Sequence, residues 1–290
     1  MSVPAAVTGL KEALSSAGPV LPSGELLTDP AVLVLELRQY LFQDWIPVAH
    51  ASELGSAGDR IRCSVATREF LLVRHTDAKV LAFRNRCLHA GYPIVEAGDP
   101  SNGAELLCKY HAWRYGLDGE LRQPQLPAMS GAPCLQRYGV ALVGGLVYLH
   151  PSLQKPETEP VAPDTADWLP HARTMRHSIE LSVNWKTLAC EPDRMARLLP
   201  PSAQGRMQPC GRLAWFAGSE HAAALVRLAP RDACATTVSI LLMSPPGAAR
   251  ETVSDWPPGI PAVVAELPCE PGSARHTFYT DYLAALQTQA

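Results

Sequence analysis

The sequence predicts an α+β chain made mainly of antiparallel strands, with an N-terminal β unit and a C-terminal unit of strands followed by a helix. Three observations carry this. Apolar and polar residues alternate over 61–84, and strand-like runs recur at 104–110, 139–151, 177–185, 212–218, 221–230 and 234–247. Twenty-seven prolines favour short elements over long helices. A stretch rich in Pro, Glu and Thr at 151–168 divides the two units as a linker would.

In chain order, residues 1–44 form an N-terminal arm whose segment 31–43 reads as a helix entering the first domain, residues 45–150. Trp45 is expected in the core. Segment 61–84 reads as one hairpin turning at Thr76-Asp77-Ala78, whose second strand delivers Cys87. A turn-rich loop at 98–103 leads into strand 104–110. Asp118-Gly119 marks another hairpin turn, 124–136 is a Pro-rich link, and 139–151 is a final strand pair. Beyond the linker, domain 169–290 opens with a strand running through Trp185, continues with three more strands, and ends in a helix over 275–290.

The 290 residues are 47% hydrophobic and 18% charged, enough for a substantial core. A net charge of −3 gives no footprint for nucleic acid or an anionic membrane. No run of apolar residues is long enough to span a bilayer, and no secretory leader is expected at the N-terminus. Eight cysteines without disulfide-like spacing predict a reducing cytoplasm.

Two of those cysteines carry the chemistry. Cys87-x-His89 and Cys108-x-x-His111 are separated by residues 90–107. Two short loops thus bring one thiolate and one imidazole each. The thiolates can take one iron of a [2Fe-2S] cluster and the imidazoles the other, the Rieske arrangement, which raises the reduction potential above that of an all-cysteine cluster. Zinc also accepts Cys₂His₂ sets, but its motifs usually pair like with like. Tyr110 is placed either to hydrogen-bond a cluster sulfur or to pack as a ring. Pro93 is expected to wall off the cluster, and His50, His75 and His150 to be surface or core residues.

The segments NRCLHAGYP at 85–93 and CKYHAWRYGLDGEL at 108–121 resemble the cluster-binding loops of the large (α) subunits of Rieske non-haem iron oxygenases, the aromatic-ring-hydroxylating dioxygenases among them. DWIPVAHASEL at 44–54 resembles the entry to their Rieske domain. The family usually has Arg-Gly after the first His and Gly-Trp after the second; Ala90-Gly91 and Ala112-Trp113 stand here. The resemblance implies a second, helix-grip-type domain, here shortened, in which a sheet wraps a helix and two His and a carboxylate hold a mononuclear iron with open positions.

At that site the sequence departs from the resemblance. The family pattern is an acid, two residues, His, four residues, His and Pro, following Asn-Trp-Lys. Asn184-Trp185-Lys186 is present, and CEPDRMARLLPP at 190–201 follows. Glu191 then falls on the acid, with Arg194 and Leu199 on the two His positions before Pro200. Arginine is a cationic donor and leucine has no lone pair, so neither can ligate iron. His171, His177, His221 and His276 form no replacement pair, and Asp281 only echoes the family's late Asp ligand. The expectation is a chain with one [2Fe-2S] cluster, no mononuclear Fe(II), and Glu191 as a bridging carboxylate. Its partners would be a ferredoxin or flavin reductase as donor and an iron-bearing oxygenase α-subunit, in a trimeric or hexameric assembly. A complete oxygenase with unusual iron ligands, or a free-standing electron carrier or redox sensor, are the alternatives.

Overall fold

The computed structural model describes residues 28–97, 99, 101–122, 133–153, 158–164, 169–190 and 192–248, Arg194 without its side chain. The expected C-terminal helix at 275–290, Asp281 and Glu191 lie outside the described residues, as does most of the Pro-rich link.

Helix α1, Pro30–Glu36, begins where Asp29 Oδ1 accepts the Ala31 N–H at 2.7 Å and Pro30 presets the first turn. A five-residue π-turn at Leu37–Leu41 continues it. Strand β1 (Ile46–His50) follows, then β2 (Arg60–Val65), β3 (Arg68–Arg74) and β4 (Val80–Arg84). The single hairpin expected over 61–84 is therefore a three-strand meander. A strand from Ile61 to His75 would exceed ordinary strand length. The chain instead reverses at Ala66-Thr67, with Ala66 at φ +49°, before the expected turn around Ala78 at φ +66°.

Strands β5 (Leu106–Leu107) and β6 (Arg114–Tyr115) form a two-stranded ladder, shorter than expected because the chain leaves it at Cys108. Strands β7 (Arg137–Val143) and β8 (Leu146–His150) are joined by Gly144-Gly145, both at positive φ. The main sheet runs β1-β8-β7-β4-β3-β2, antiparallel throughout.

The second unit has β9 (Arg173–Leu181), α2 (Trp185–Ala189), α3 (Pro192–Met195), β10 (Gln208–Gly211), β11 (Ala214–Gly218), β12 (Ala223–Pro230) and β13 (Thr236–Ser244). Its sheet is antiparallel in the order β10-β11-β12-β13-β9. The strand expected to run through Trp185 stops at Leu181, because Asn184 Oδ1 caps α2 by accepting the Lys186 N–H at 2.9 Å. No helix among the described residues is long and apolar enough to cross a membrane.

The two sheets share their cores. One apolar cluster joins Val48, Val65, Phe70 and Leu149 to Trp185, Met195, Leu199, Trp215 and Ile240. A second sets Trp45, Leu146 and Tyr148 against Phe216, Leu225 and Met243. A third, Leu71, Phe83, Ile94, Leu106, Tyr115 and Leu135, sits under the loops of Cys87 and Cys108. The edges of β1 and β10 come so close that a Cβ on Gly211, at φ +150°, would meet Trp45 O at 2.6 Å.

One buried ion pair crosses between the units. Lys186 Nζ lies 2.7 Å from Glu36 Oε1, and Trp185 Nε1–H donates to Glu36 Oε2 at 3.1 Å. Burial draws the Lys186 ammonium below its ordinary pKa, and the Glu36 carboxylate opposes that shift. Asn184 Nδ2 also donates to Ala233 O at 2.6 Å, so all three residues of Asn184-Trp185-Lys186 serve as anchors.

Candidate metal centre

The first loop leaves β4 at Asn85, a buried residue that closes it like a clasp. Asn85 Oδ1 accepts the N–H groups of Ile94 and Val95 at 3.1 and 3.0 Å, and Nδ2 donates to Val95 O at 2.8 Å. Within the loop, Cys87 N–H donates to Tyr92 O and Gly91 N–H to Cys87 O. Gly91 sits at φ +73°, where a Cβ would strike the Arg86 guanidinium. The second loop is the connection of the β5–β6 hairpin, closed by Cys108 N–H to Trp113 O at 2.9 Å. Ala112 turns that loop at φ +56°, where the family resemblance leads one to expect glycine.

The loops place Cys87, His89, Cys108 and His111 together at one end of the first unit. Both thiols are buried and both imidazoles are exposed. The Nδ1 atoms of His89 and His111 are 3.0 Å apart, so both imidazoles could serve as ligands of the same iron. Among the described residues, no three His, Cys, Asp or Glu side chains converge on a point that could hold a single ion. The donors are thus apportioned by element: imidazoles outside, sulfurs inside. This fits a binuclear cluster with two protein ligands per iron.

The sulfurs sit among donors. Burial pushes the Cys108 thiol pKa up, and the backbone N–H groups of Tyr110 and His111 oppose that by favouring the thiolate. Tyr115 OH lies 3.1 Å from Cys87 Sγ and accepts the Leu88 N–H at 3.0 Å. Burial, reinforced by the neighbouring Cys87 sulfur, raises the Tyr115 phenol above its ordinary value. It therefore keeps its proton and can donate it to a thiolate.

The sequence left Tyr110 either to make this contact or to pack as a ring; it is exposed and packs as a ring, stacked on Tyr92 with centroids 4.0 Å apart and tilted against His111. Trp113 stacks on His89 at 4.9 Å, and Pro93 is half-buried. Tyr115 was missed because it acts from β6, outside the loop it serves, and Asn85 because its partners Ile94 and Val95 lie at the far end of its own loop. His50 and His150 are buried, and His75 pairs with Asp77 at 2.8 Å.

Protein comparisons bear on this end of the chain. Residues 44–138 match the protein-family model described as Rieske [2Fe-2S] domain. This segment is a Rieske domain. The chain is 36% identical over 87 residues to the large oxygenase component of the 2,4-dinitrotoluene dioxygenase system of Burkholderia sp. (strain RASC), covering 30% of this chain and 19% of that protein. It is 35% identical over 94 residues to the carnitine monooxygenase oxygenase subunit of Escherichia coli (strain K12), covering 32% and 25%. The chain thus spans only a fifth to a quarter of the length of these relatives.

The fold likeness extends further. The apo form of a quaternary ammonium Rieske monooxygenase superposes with TM-score 0.61 at 19% identity, over 78% of this chain and 75% of that one. A naphthalene 1,2-dioxygenase from Rhodococcus sp. bound to indole superposes with TM-score 0.58 at 15% identity, over 84% and 77%. The chain is related to Rieske oxygenase large subunits and shares their α+β fold, with a Rieske domain that calls for a [2Fe-2S] cluster.

At the expected iron site, Arg194 lies on α3, whereas Leu199 follows the 3-10 turn Ala196–Leu198 and is 0% exposed, inside the core shared by the two units.

Proposed function

We propose that this chain is a non-catalytic α-like subunit of a Rieske oxygenase system. In this reading it accepts electrons from a ferredoxin or flavin reductase and passes them to an iron-bearing α-subunit, which hydroxylates or demethylates an organic substrate. The two would share a trimeric or hexameric ring in a reducing cytoplasm. Cys87, Cys108, His89 and His111 would hold the cluster, which supplies one-electron transfer when bound. Tyr115 holds a proton toward the Cys87 sulfur. Exposed Leu88, Tyr92, Leu107 and Tyr110 form an apolar rim around the imidazoles, suited to a docked protein. The seven described cysteines are all free thiols, in keeping with a reducing compartment.

The observation that carries the non-catalytic part is Leu199. Where the resemblance calls for an iron-binding imidazole, an aliphatic side chain fills a core with Trp185, Met195 and Leu198. A ligand there would need an open coordination position, and packing takes that space.

The test is iron and acid-labile sulfide per chain on anaerobically purified protein, alongside any co-purifying subunit. Two irons and two sulfides, the content of one [2Fe-2S] cluster, are expected, with no turnover by the chain alone. Three irons, with substrate oxidation by this chain alone, would make it a complete oxygenase and overturn the reading.

A further inference from the structure

Away from the cluster, a cleft of about 170 Å³ lies between β1 and the second sheet, lined by Val48, Arg176, Ser178, Leu225, Arg227 and Ser239 among others. Strand register explains how its polar groups meet. Arg227 on β12 lies opposite Ser239 on β13, and Ser239 lies opposite Ser178 on β9. One guanidinium and two hydroxyl-bearing residues thus form a row across three strands, on a face whose next row is Leu225, Leu241 and Arg176. Strand β9 is the sheet edge, and Ser178 is exposed there, so the row reaches solvent.

Arg227 is only 6% exposed. Among the described residues its side chain makes one hydrogen bond, from Nη1 to Ser64 O in the first unit, at 3.0 Å. Among the described residues it has no carboxylate within ion-pair distance. Cys63 is the first group whose field reaches it, followed by Arg176 and Glu53, and Glu53 is already held by Arg176 at 2.5 and 2.7 Å. Burial lowers the Arg227 pKa to about 10, so it stays charged at neutral pH. Arg227 lines the cleft, so a counter-charge arriving there would meet its guanidinium.

We infer that this cleft binds a small oxyanion, with the Arg227 guanidinium as its charged anchor and Ser239 and Ser178 as hydroxyl donors. The volume is smaller than the roughly 300 Å³ at which drug-sized sites usually begin, and it suits an ion the size of phosphate. Because Arg227 also holds Ser64, the bound anion would fasten the Rieske sheet to the second sheet.

The test is thermal unfolding of the full chain titrated with inorganic phosphate, and separately with acetate, against chloride at equal ionic strength. This comparison removes general salt effects. A saturable rise in Tm is expected with phosphate, weakened about ten- to a hundredfold in apparent affinity by Arg227→Met. Acetate in place of phosphate would assign the site to carboxylates within the same chemistry. An unsaturable rise, or a saturable one that Arg227→Met leaves unchanged, overturns the inference. Should Arg227→Met fail to fold, the Ser178→Ala/Ser239→Ala chain decides. Reduced phosphate affinity upholds the site, and unchanged affinity refutes it.

Discussion

At the Rieske end, polar donors are held at a surface: Cys87 and Cys108 are buried under the loops, His89 and His111 stand outside them, and Tyr115 and backbone N–H groups face the sulfurs. Around α2 and α3 the polarity is reversed. Glu36 and Lys186 are sealed together, Trp185 is spent on the same carboxylate, and Leu199 is packed in the core. Both regions lie where the family resemblance expects iron. One spends its sequence on presenting donors, the other on joining two sheets. Donor residues alone do not make a metal site; they need a place where packing has left room for a ligand shell.

The largest test of this contrast is Cys108→Ser. It should abolish the visible absorption and the reduced-state electron paramagnetic resonance signal of the cluster. The transition of the shared core should stay near its parental temperature, since Cys108 belongs to the separate apolar cluster under the loops. Collapse of both together would show that the two regions form one cooperative unit.

Next is Glu36→Ala, which leaves Lys186 as an unpaired buried charge and should cost about 3–5 kcal/mol in denaturant unfolding. Glu36→Gln combined with Lys186→Met removes both charges and keeps an acceptor for Trp185, so it should recover most of that loss.

Tyr115→Phe should lower the cluster's midpoint potential on the order of 50 mV, the one-electron equivalent of about 1 kcal/mol of hydrogen bonding to sulfur. Iron content should stay unchanged; redox titration measures the shift. The smallest effect is Ala112→Gly. Relief of the left-handed backbone should stabilise the second loop by about 0.5–1 kcal/mol, read as slower loss of cluster absorbance in denaturant.

What the sequence revealed and what it hid follow from separation along the chain. Cys87-x-His89 and Cys108-x-x-His111 were legible because each ligand pair lies within one loop. Tyr115 was not, since its partner is on a loop 28 residues away. Neither was the Glu36–Lys186 pair, 150 residues apart. The row Arg227, Ser239, Ser178 exists only through strand register. Strands β1 and β10 escaped because Pro47 and Pro209 argue against strands, yet both lie on sheet edges, where a missing N–H is tolerated. The reversal at Ala66 escaped because it carries no Gly, Asn or Asp to announce a tight turn.

The interlocked sheets have a consequence for how the chain reaches its native state. Strand β1 waits for β8, a hundred residues downstream, and their shared core is not complete until β13 has been made. Such high contact order predicts slow folding that begins late in synthesis, with Val48, Val65 and Phe70 uncovered until then. The loops of Cys87 and Cys108 close over their own small apolar cluster, which among the described residues includes none beyond Leu135. Iron and sulfide could therefore be loaded onto a nascent chain whose far half has yet to emerge, making cluster delivery an early event in its biogenesis.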